Sequence, residues 1–194
     1  MKNIRAICLY CGSSSSVPES HREAARRFGR IVAEAGATLV YGGGRVGLMG
    51  LAADAALAAG GHVIGIIPRL LMDAEAGHGG VSELHVVETM HERKYKLFTL
   101  SDAFVALPGG LGTLDETFEM ITWRQLRLHD KPIVIVNEAD YWAPLLKLFG
   151  AMEHNGYTQP AHRALFSVVG GVDEVLPMLE REPEPTLDPA TRWL

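Results

Sequence analysis

The sequence predicts an α/β fold: a doubly wound, Rossmann-like parallel sheet in a single domain. Three observations predict it. Short apolar runs alternate with helical patterns along the whole chain, the signature of βαβ units. Those runs carry few polar positions, as strands covered on both faces do. Clusters of glycine follow two of the runs, at the strand-to-helix turns where such folds take their ligands.

The elements follow in order. Ile4–Tyr10 is apolar with β-branched residues and reads as a strand. Ser16-Val17-Pro18-Glu19 has the spacing of a capping box and opens a helix to about Ala35, which Gly36 stops. Thr38–Tyr41 is the second strand, followed by Gly42-Gly43-Gly44. Leu48–Ala59 is alanine-rich and helical, and Gly60-Gly61 ends it. His62–Ile67 is a third strand, halted at Pro68. Leu70–Ser82 fits neither template, and Gly77, Gly79 and Gly80 mark a loop there. Leu84–Val87 reads as a short strand, Thr89–Ser101 as a helix and Ala103–Leu107 as a strand. After Pro108-Gly109-Gly110-Leu111-Gly112 comes a long helix, Thr113–Leu128. A strand at Pro132–Val136, a helix at Tyr141–Met152, a strand at Leu165–Val169 and a helix at Val172–Glu180 complete the domain, residues 1–181. The tail, 182–194, holds Pro183, Pro185 and Pro189 and reads as extended.

Composition narrows the functional classes. The chain has 194 residues, enough for one well-buried core. Eighteen basic against 23 acidic residues leave a net charge of −5, which argues against a general nucleic-acid surface. No apolar run approaches the roughly 20 residues that span a membrane. Met1-Lys2-Asn3-Ile4-Arg5 leads straight into a strand without a signal-peptide pattern, so a cytoplasmic location is expected. Cys8 and Cys11 are spaced C-x-x-C. On a strand, however, side chains three apart point to opposite faces, so two packed thiols are expected rather than a redox or metal pair. The histidines show no ligand spacing, and no metal is expected.

The first glycine loop, Tyr41–Gly50, contains G-x-G-x-x-G at Gly42, Gly44 and Gly47. It departs from a dinucleotide fingerprint. It follows the second strand, and the acid due about 20 residues on is missing where the third strand ends in Ile67-Pro68-Arg69. The second loop is more informative. Gly109, Gly110 and Gly112 let backbone N–H groups converge at a helix N-terminus, which is an anion site. Without G-K-[ST] it is not an NTPase loop, and a monophosphate suits it better than a triphosphate. Thr113-Leu114-Asp115-Glu116 also has capping-box spacing. Glu116 is therefore either a cap reaching back to Thr113 or a carboxylate at the rim of the site, facing a sugar. Met90-His91-Glu92-Arg93-Lys94 opens the helix after a short strand, at the same rim. Arg93 and Lys94 either meet a phosphate, pair with Glu116, or form a solvated face.

These motifs together resemble the LONELY GUY family, the cytokinin-activating phosphoribohydrolases once labelled lysine decarboxylases. The resemblance runs from Tyr10-Cys11-Gly12-Ser13-Ser14 to Trp142. It is carried by Gly42-Gly43-Gly44 with Gly47-Leu48-Met49-Gly50, by Met90–Lys94, and by Pro108-Gly109-Gly110-x-Gly112-Thr113-x-x-Glu116 continued in Ile121-Thr122-Trp123. Asp115 stands where the family usually has Glu. The resemblance implies hydrolysis of N6-substituted adenosine 5′-monophosphates, and often AMP, to free base and ribose 5-phosphate. It implies Arg93 and Glu116 as the catalytic pair. Ser13, Gly43, Gly44, Glu75, Met90, Lys94, Gly109, Gly110, Leu111, Gly112, Thr113, Leu114, Asp115 and Thr122 are then expected at the substrate. It implies a homodimer and no cofactor. The decarboxylase label conflicts with the residues, since none of the five lysines (Lys2, Lys94, Lys96, Lys131, Lys147) sits in a pyridoxal motif. Two rivals remain at this stage. A non-catalytic nucleotide carrier would use the glycine loops but have no need of Arg93 with Glu116. A nicotinamide-dependent oxidoreductase would need the missing acid.

Overall fold

A computed structural model of the chain describes residues 4–72 and 77–181. Seven strands form one parallel sheet: β1 (Ala6–Tyr10), β2 (Thr38–Tyr41), β3 (Val63–Pro68), β4 (Glu83–Val87), β5 (Ala103–Ala106), β6 (Ile133–Val136) and β7 (Ser167–Val169). Their order is β4-β3-β2-β1-β5-β6-β7. The chain winds outward from β1 on one flank, then returns to pair β5 on the other. Leu9 lies against Tyr41 and Tyr10 against Ala106. The sheet is doubly wound, and its order reverses at β1, so a crevice opens beyond the carboxyl ends of β1 and β5.

Alternation along each strand feeds two cores. Ile7, Leu9, Tyr41, Val105 and Val134 face α1 (Glu19–Glu34), α2 (Gly47–Ala58) and α6 (Val175–Arg181). Cys8, Tyr10, Val40, Ile66 and Phe104 face α3 (Met90–Thr99), α4 (Leu111–Gln125) and α5 (Ala143–His154). Each buried Leu, Ile or Val contributes roughly 1.5–3 kcal/mol relative to exposure. Cys8 and Cys11 fall in opposite cores, both as free buried thiols, as the strand geometry predicts.

The helices sit where the periodicity puts them, but their starts move. Ser16 does not cap α1. Pro18 occupies the position before the helix, so Ser16 lies too far upstream to reach its orphan amides, and Glu19 pairs with Arg22 and Arg26 instead. A continuous strand over Leu165–Val169 is not found. A short 3₁₀ segment, Pro160–Leu165, shortens the strand to Ser167–Val169. Burial on both faces fails at β4. As an edge strand it exposes Glu83 and Val86, and Glu83 binds His62 and His85.

Candidate active site

The second glycine loop leaves the end of β5 and turns into α4 sooner than the sequence predicts. Gly110 precedes the helix and Leu111 is its first residue. Thr113 is therefore inside the helix, 3% exposed, with its carbonyl accepting from Thr117 Oγ1. The Thr113–Glu116 capping box does not form, and Glu116 falls in the second turn rather than the first. With no side-chain cap, the N–H groups of Gly110, Leu111, Gly112 and Thr113 have no protein acceptor among the described residues. Four amides at a helix N-terminus are the kind of donor group that an anion site uses.

Arg93 arrives from the other side, on α3. Thr89 accepts from the Glu92 amide while Glu92 Oε2 accepts from Thr89, a full capping box. The T-x-x-E spacing of Thr89 and Glu92 is the sequence signal for this cap. The cap turns Arg93 inward, where it is 6% exposed. Its Nη2 donates to Gly42 O at 3.0 Å and its Nε to Ile66 O at 3.2 Å. A side chain at position 42 would put Cβ 2.1 Å from Nη2, so the guanidinium sits here only where position 42 is bare or the guanidinium shifts.

One cleft of about 590 Å³, open to solvent, collects these groups at the switch point. Ser13, Met90, Arg93, Gly110, Leu111, Gly112, Thr113, Asp115 and Glu116 all line it. Cys11, Gly12 and Met49 line it too, and no individual signal marked them beyond their place in the motifs. Gly109 lies one residue behind the lining. Gly43 and Gly44 do not reach the cleft. Gly43 O accepts the His78 amide and Gly44 bridges to Gly77, so both hold the neighbouring loop. Gly47, at φ +61°, packs on the Ser13 backbone. The first glycine loop thus braces the walls of the cleft. Leu114 turns away to the core around Ala106, Ile135 and Trp142. Thr122 lines a separate, largely apolar hollow of about 640 Å³ with Phe118, Phe149 and Phe166. Glu75 lies outside the described residues.

Charge around the cleft is organised in layers. Lys94 bridges the two helices, 3.2 Å from Asp115 and 3.1 Å from Glu119. Burial pulls its pKa down, but bonds from Glu119 and Asp115 outweigh this and hold it above the usual lysine value. A Schiff-base lysine reacts as a free amine, whereas Lys94 is tied to two carboxylates. Burial first, and the negative charge of Glu116 second, push the Cys11 thiol up, which keeps it protonated and non-nucleophilic. The same two causes raise Cys8.

A family model described as "Possible lysine decarboxylase" matches residues 49–179. The cytokinin riboside 5′-monophosphate phosphoribohydrolase of Rhodococcoides fascians is 44% identical over 161 residues, which cover 82% of this chain and 81% of that protein. The chain belongs to the LONELY GUY family. The family's LOG5 of Arabidopsis thaliana, a cytokinin riboside 5′-monophosphate phosphoribohydrolase, is 42% identical over 91% of this chain and 77% of its own length. The family fold extends further than its sequence. The molybdenum cofactor binding protein of Rippkaea orientalis superposes with a TM-score of 0.71 over 93% of this chain and 98% of its own, at 20% identity. The molybdenum cofactor carrier protein of Chlamydomonas reinhardtii gives 0.70 over 91% and 96%, also at 20%. Those two share the architecture alone. Among the described residues no helix is long and apolar enough to cross a membrane, and no cluster of His, Cys, Asp and Glu could hold a metal.

Proposed function

We propose that this LONELY GUY member hydrolyses the N-glycosidic bond of adenosine 5′-monophosphates, AMP and N6-isopentenyl-AMP among them, releasing free base and ribose 5-phosphate. One observation carries the reading. A carboxylate (Glu116), a buried guanidinium (Arg93) and four amides (Gly110–Thr113) without an acceptor among the described residues line the same cleft. The amides and the helix dipole take the phosphate. Its binding energy, remote from the reacting bond, orients the ribose. Cleavage passes through an oxocarbenium-like sugar, by analogy with glycoside hydrolysis, and the Glu116 carboxylate stabilises that positive charge. Glu116 also orients the attacking water and takes its proton as general base. Arg93 stays charged throughout and donates no proton. Held on the Gly42 and Ile66 carbonyls, it keeps Glu116 ionised and positions the ester. Asp115 and Lys94 tie α4 to α3 beside it. The substrate contacts expected of Glu75 and Thr122 belong to this reading as well.

Incubation with AMP and N6-isopentenyl-AMP, followed by detection of free base, tests it. Glu116→Gln is expected to retain AMP binding and lose about 10²–10⁴ in rate. Saturable binding with AMP left intact by the wild-type protein would support a carrier instead.

The homodimer and the cytoplasmic location belong to the same proposal. Leu148 and Tyr157, 53% and 82% exposed, give the α5 side of the molecule an apolar character that suits a partner copy. Two free thiols fit a reducing compartment. Sedimentation of the full chain tests the dimer.

A further inference from the structure

The carbonyls of the second glycine loop are all held, and each by a different part of the fold. Pro108 O accepts the Gly12 amide at 3.0 Å, and Gly110 O accepts the Leu114 amide at 3.0 Å. Gly109 O, between them, accepts the hydroxyl of Tyr141 at 2.7 Å. Tyr141 lies 32 residues away, after β6, and does not line the cleft. In a planar trans peptide the C=O and the following N–H point in opposite directions, and no peptide bond here is cis. Fixing Gly109 O on Tyr141 therefore fixes the Gly110 N–H to point the other way. Gly110 is among the residues that line the cleft, and its amide has no protein acceptor among the described residues.

The turn that presents Tyr141 is itself unusual. Ala139 and Asp140 have φ of 50° and 58°, a region that L residues rarely adopt. The segment is tied down at both ends. The Asn137 amide donates to Val169 O at 2.8 Å, Asn137 Oδ1 accepts the Trp142 amide at 2.7 Å, and Asn137 Nδ2 donates to Asp140 Oδ1 at 3.1 Å. Trp142 is 5% exposed and anchors the turn in the core. The ring of Tyr141 is also gripped, edge-on to His21 at 5.3 Å and to Trp142 at 4.8 Å. A strained turn that is overdetermined by anchors persists where it delivers something. What it delivers here is one hydroxyl to one carbonyl of the anion loop.

We propose that Tyr141 is a positioning residue: it locks the Gly109–Gly110 peptide so that the Gly110 amide faces the phosphate, and thereby sets affinity for phosphorylated ligands over unphosphorylated ones. The proposal rests on the reading of the cleft as a nucleoside monophosphate site. Without the Tyr141 hydroxyl the flexible Gly109–Gly110 peptide is free to rotate. The phosphate then loses one amide or must order it on binding.

Tyr141→Phe removes the hydroxyl and keeps the gripped ring. Titration calorimetry with ribose 5-phosphate and with ribose, on the full chain, reads the effect. The expected result is a melting temperature within a degree or so of wild type, ribose 5-phosphate affinity about tenfold weaker, and ribose affinity unchanged. In the AMP assay KM rises by a similar factor while kcat moves little, a split that a general structural defect does not give. Unchanged ribose 5-phosphate affinity, or equal losses for ribose and ribose 5-phosphate, overturns the proposal. The hydrolase reading fails separately. A wild-type chain that binds ribose 5-phosphate yet leaves AMP intact refutes hydrolysis and leaves the role of Tyr141 standing.

Discussion

The two glycine loops use the same residue for opposite reasons. In the first, a Cβ would strike protein at almost every position. It would fall 2.1 Å from Arg93 Nη2 at Gly42, 2.3 Å from the Ser13 backbone at Gly47 and 2.0 Å from Arg45 O at Gly50. Those glycines are accounted for by the fold itself. In the second, Gly109 is packed like those, with a built Cβ 2.1 Å from Thr113 Oγ1, but Gly110 and Gly112 have nothing within 4 Å of a built Cβ, and neither has a positive φ. The protein makes no demand for glycine at either position. The demand is met if the space belongs to a ligand that must approach the bare amides. The first loop is a brace made of close contacts, and the second, beyond the packed Gly109, is a cradle kept open at Gly110 and Gly112.

That contrast breaks or sharpens under substitution. The largest expected effect is in the brace. Gly42→Ala forces the Arg93 guanidinium off its carbonyl, and overpacking of this kind costs about 1–3 kcal/mol of stability. Displacing a group at the reacting centre costs about a hundredfold in rate. Denaturant melts and AMP turnover read the two together, and a variant with wild-type values in both would refute the brace. Gly112→Ala should separate the two quantities. Alanine suits a helix better than glycine by roughly 0.5–1 kcal/mol, so the melting temperature should hold or rise. Affinity for ribose 5-phosphate should fall by about tenfold as a methyl enters the cradle, a loss of about 1.4 kcal/mol. A Gly112→Ala chain that binds as tightly as wild type would mean that the open space is unused.

The smallest effect concerns the far end of α4, away from both loops. Burial, chiefly, holds the pKa of His129 down at about 4, below the ordinary 6.5. Its Nε2 lies 3.0 Å from Met120 O and its Nδ1 accepts the Lys131 amide. Between these two values the unfolded chain binds a proton that the folded chain refuses. Stability therefore rises with pH across that window, and is lost as pH falls from about 6.5 toward about 4. His129 is part-exposed, and solvent screening leaves on the order of 1 kcal/mol. His129→Gln, compared with wild type in denaturant melts across that window, should flatten the slope without altering phosphate affinity at neutral pH.

The sequence made the sheet legible because alternation and run length are local properties. Thr38–Tyr41 needs no tertiary context to be read as a strand. Helix starts were less legible. S-x-x-E at Ser16 and T-x-x-E at Thr113 mimic caps that do not form, while the T-x-x-E at Thr89 does form. The three differ in what precedes the helix. Pro18 and Gly110 take the first two sites, and no feature of the spacing itself reveals this. Glu116 could be singled out as a carboxylate beside a glycine loop and Arg93 as part of a dense charged cluster, the resemblance pairs them, and they share one cleft. The division of labour between the loops could not be read, because it depends on whether a Cβ at Gly42 or Gly112 meets an atom from a distant segment. Tyr141 was invisible for the same reason. Its target carbonyl lies across the switch point, and the turn that aims it contains neither glycine nor proline.

The pairing of β1 with β5 also bears on how the molecule comes into being. Tyr10 meets Ala106 at the point where the crevice opens. A growing polypeptide emerges amino end first and can assemble β1 to β4 early, as neighbours in sequence order. It has no crevice at all until more than half of its length has been synthesised. Contacts this distant along the chain are slow to close. The early product is a half-sheet with one flank of β1 bare, the species most in need of protection from aggregation. In this architecture no site exists until the second flank of the sheet begins to join the first.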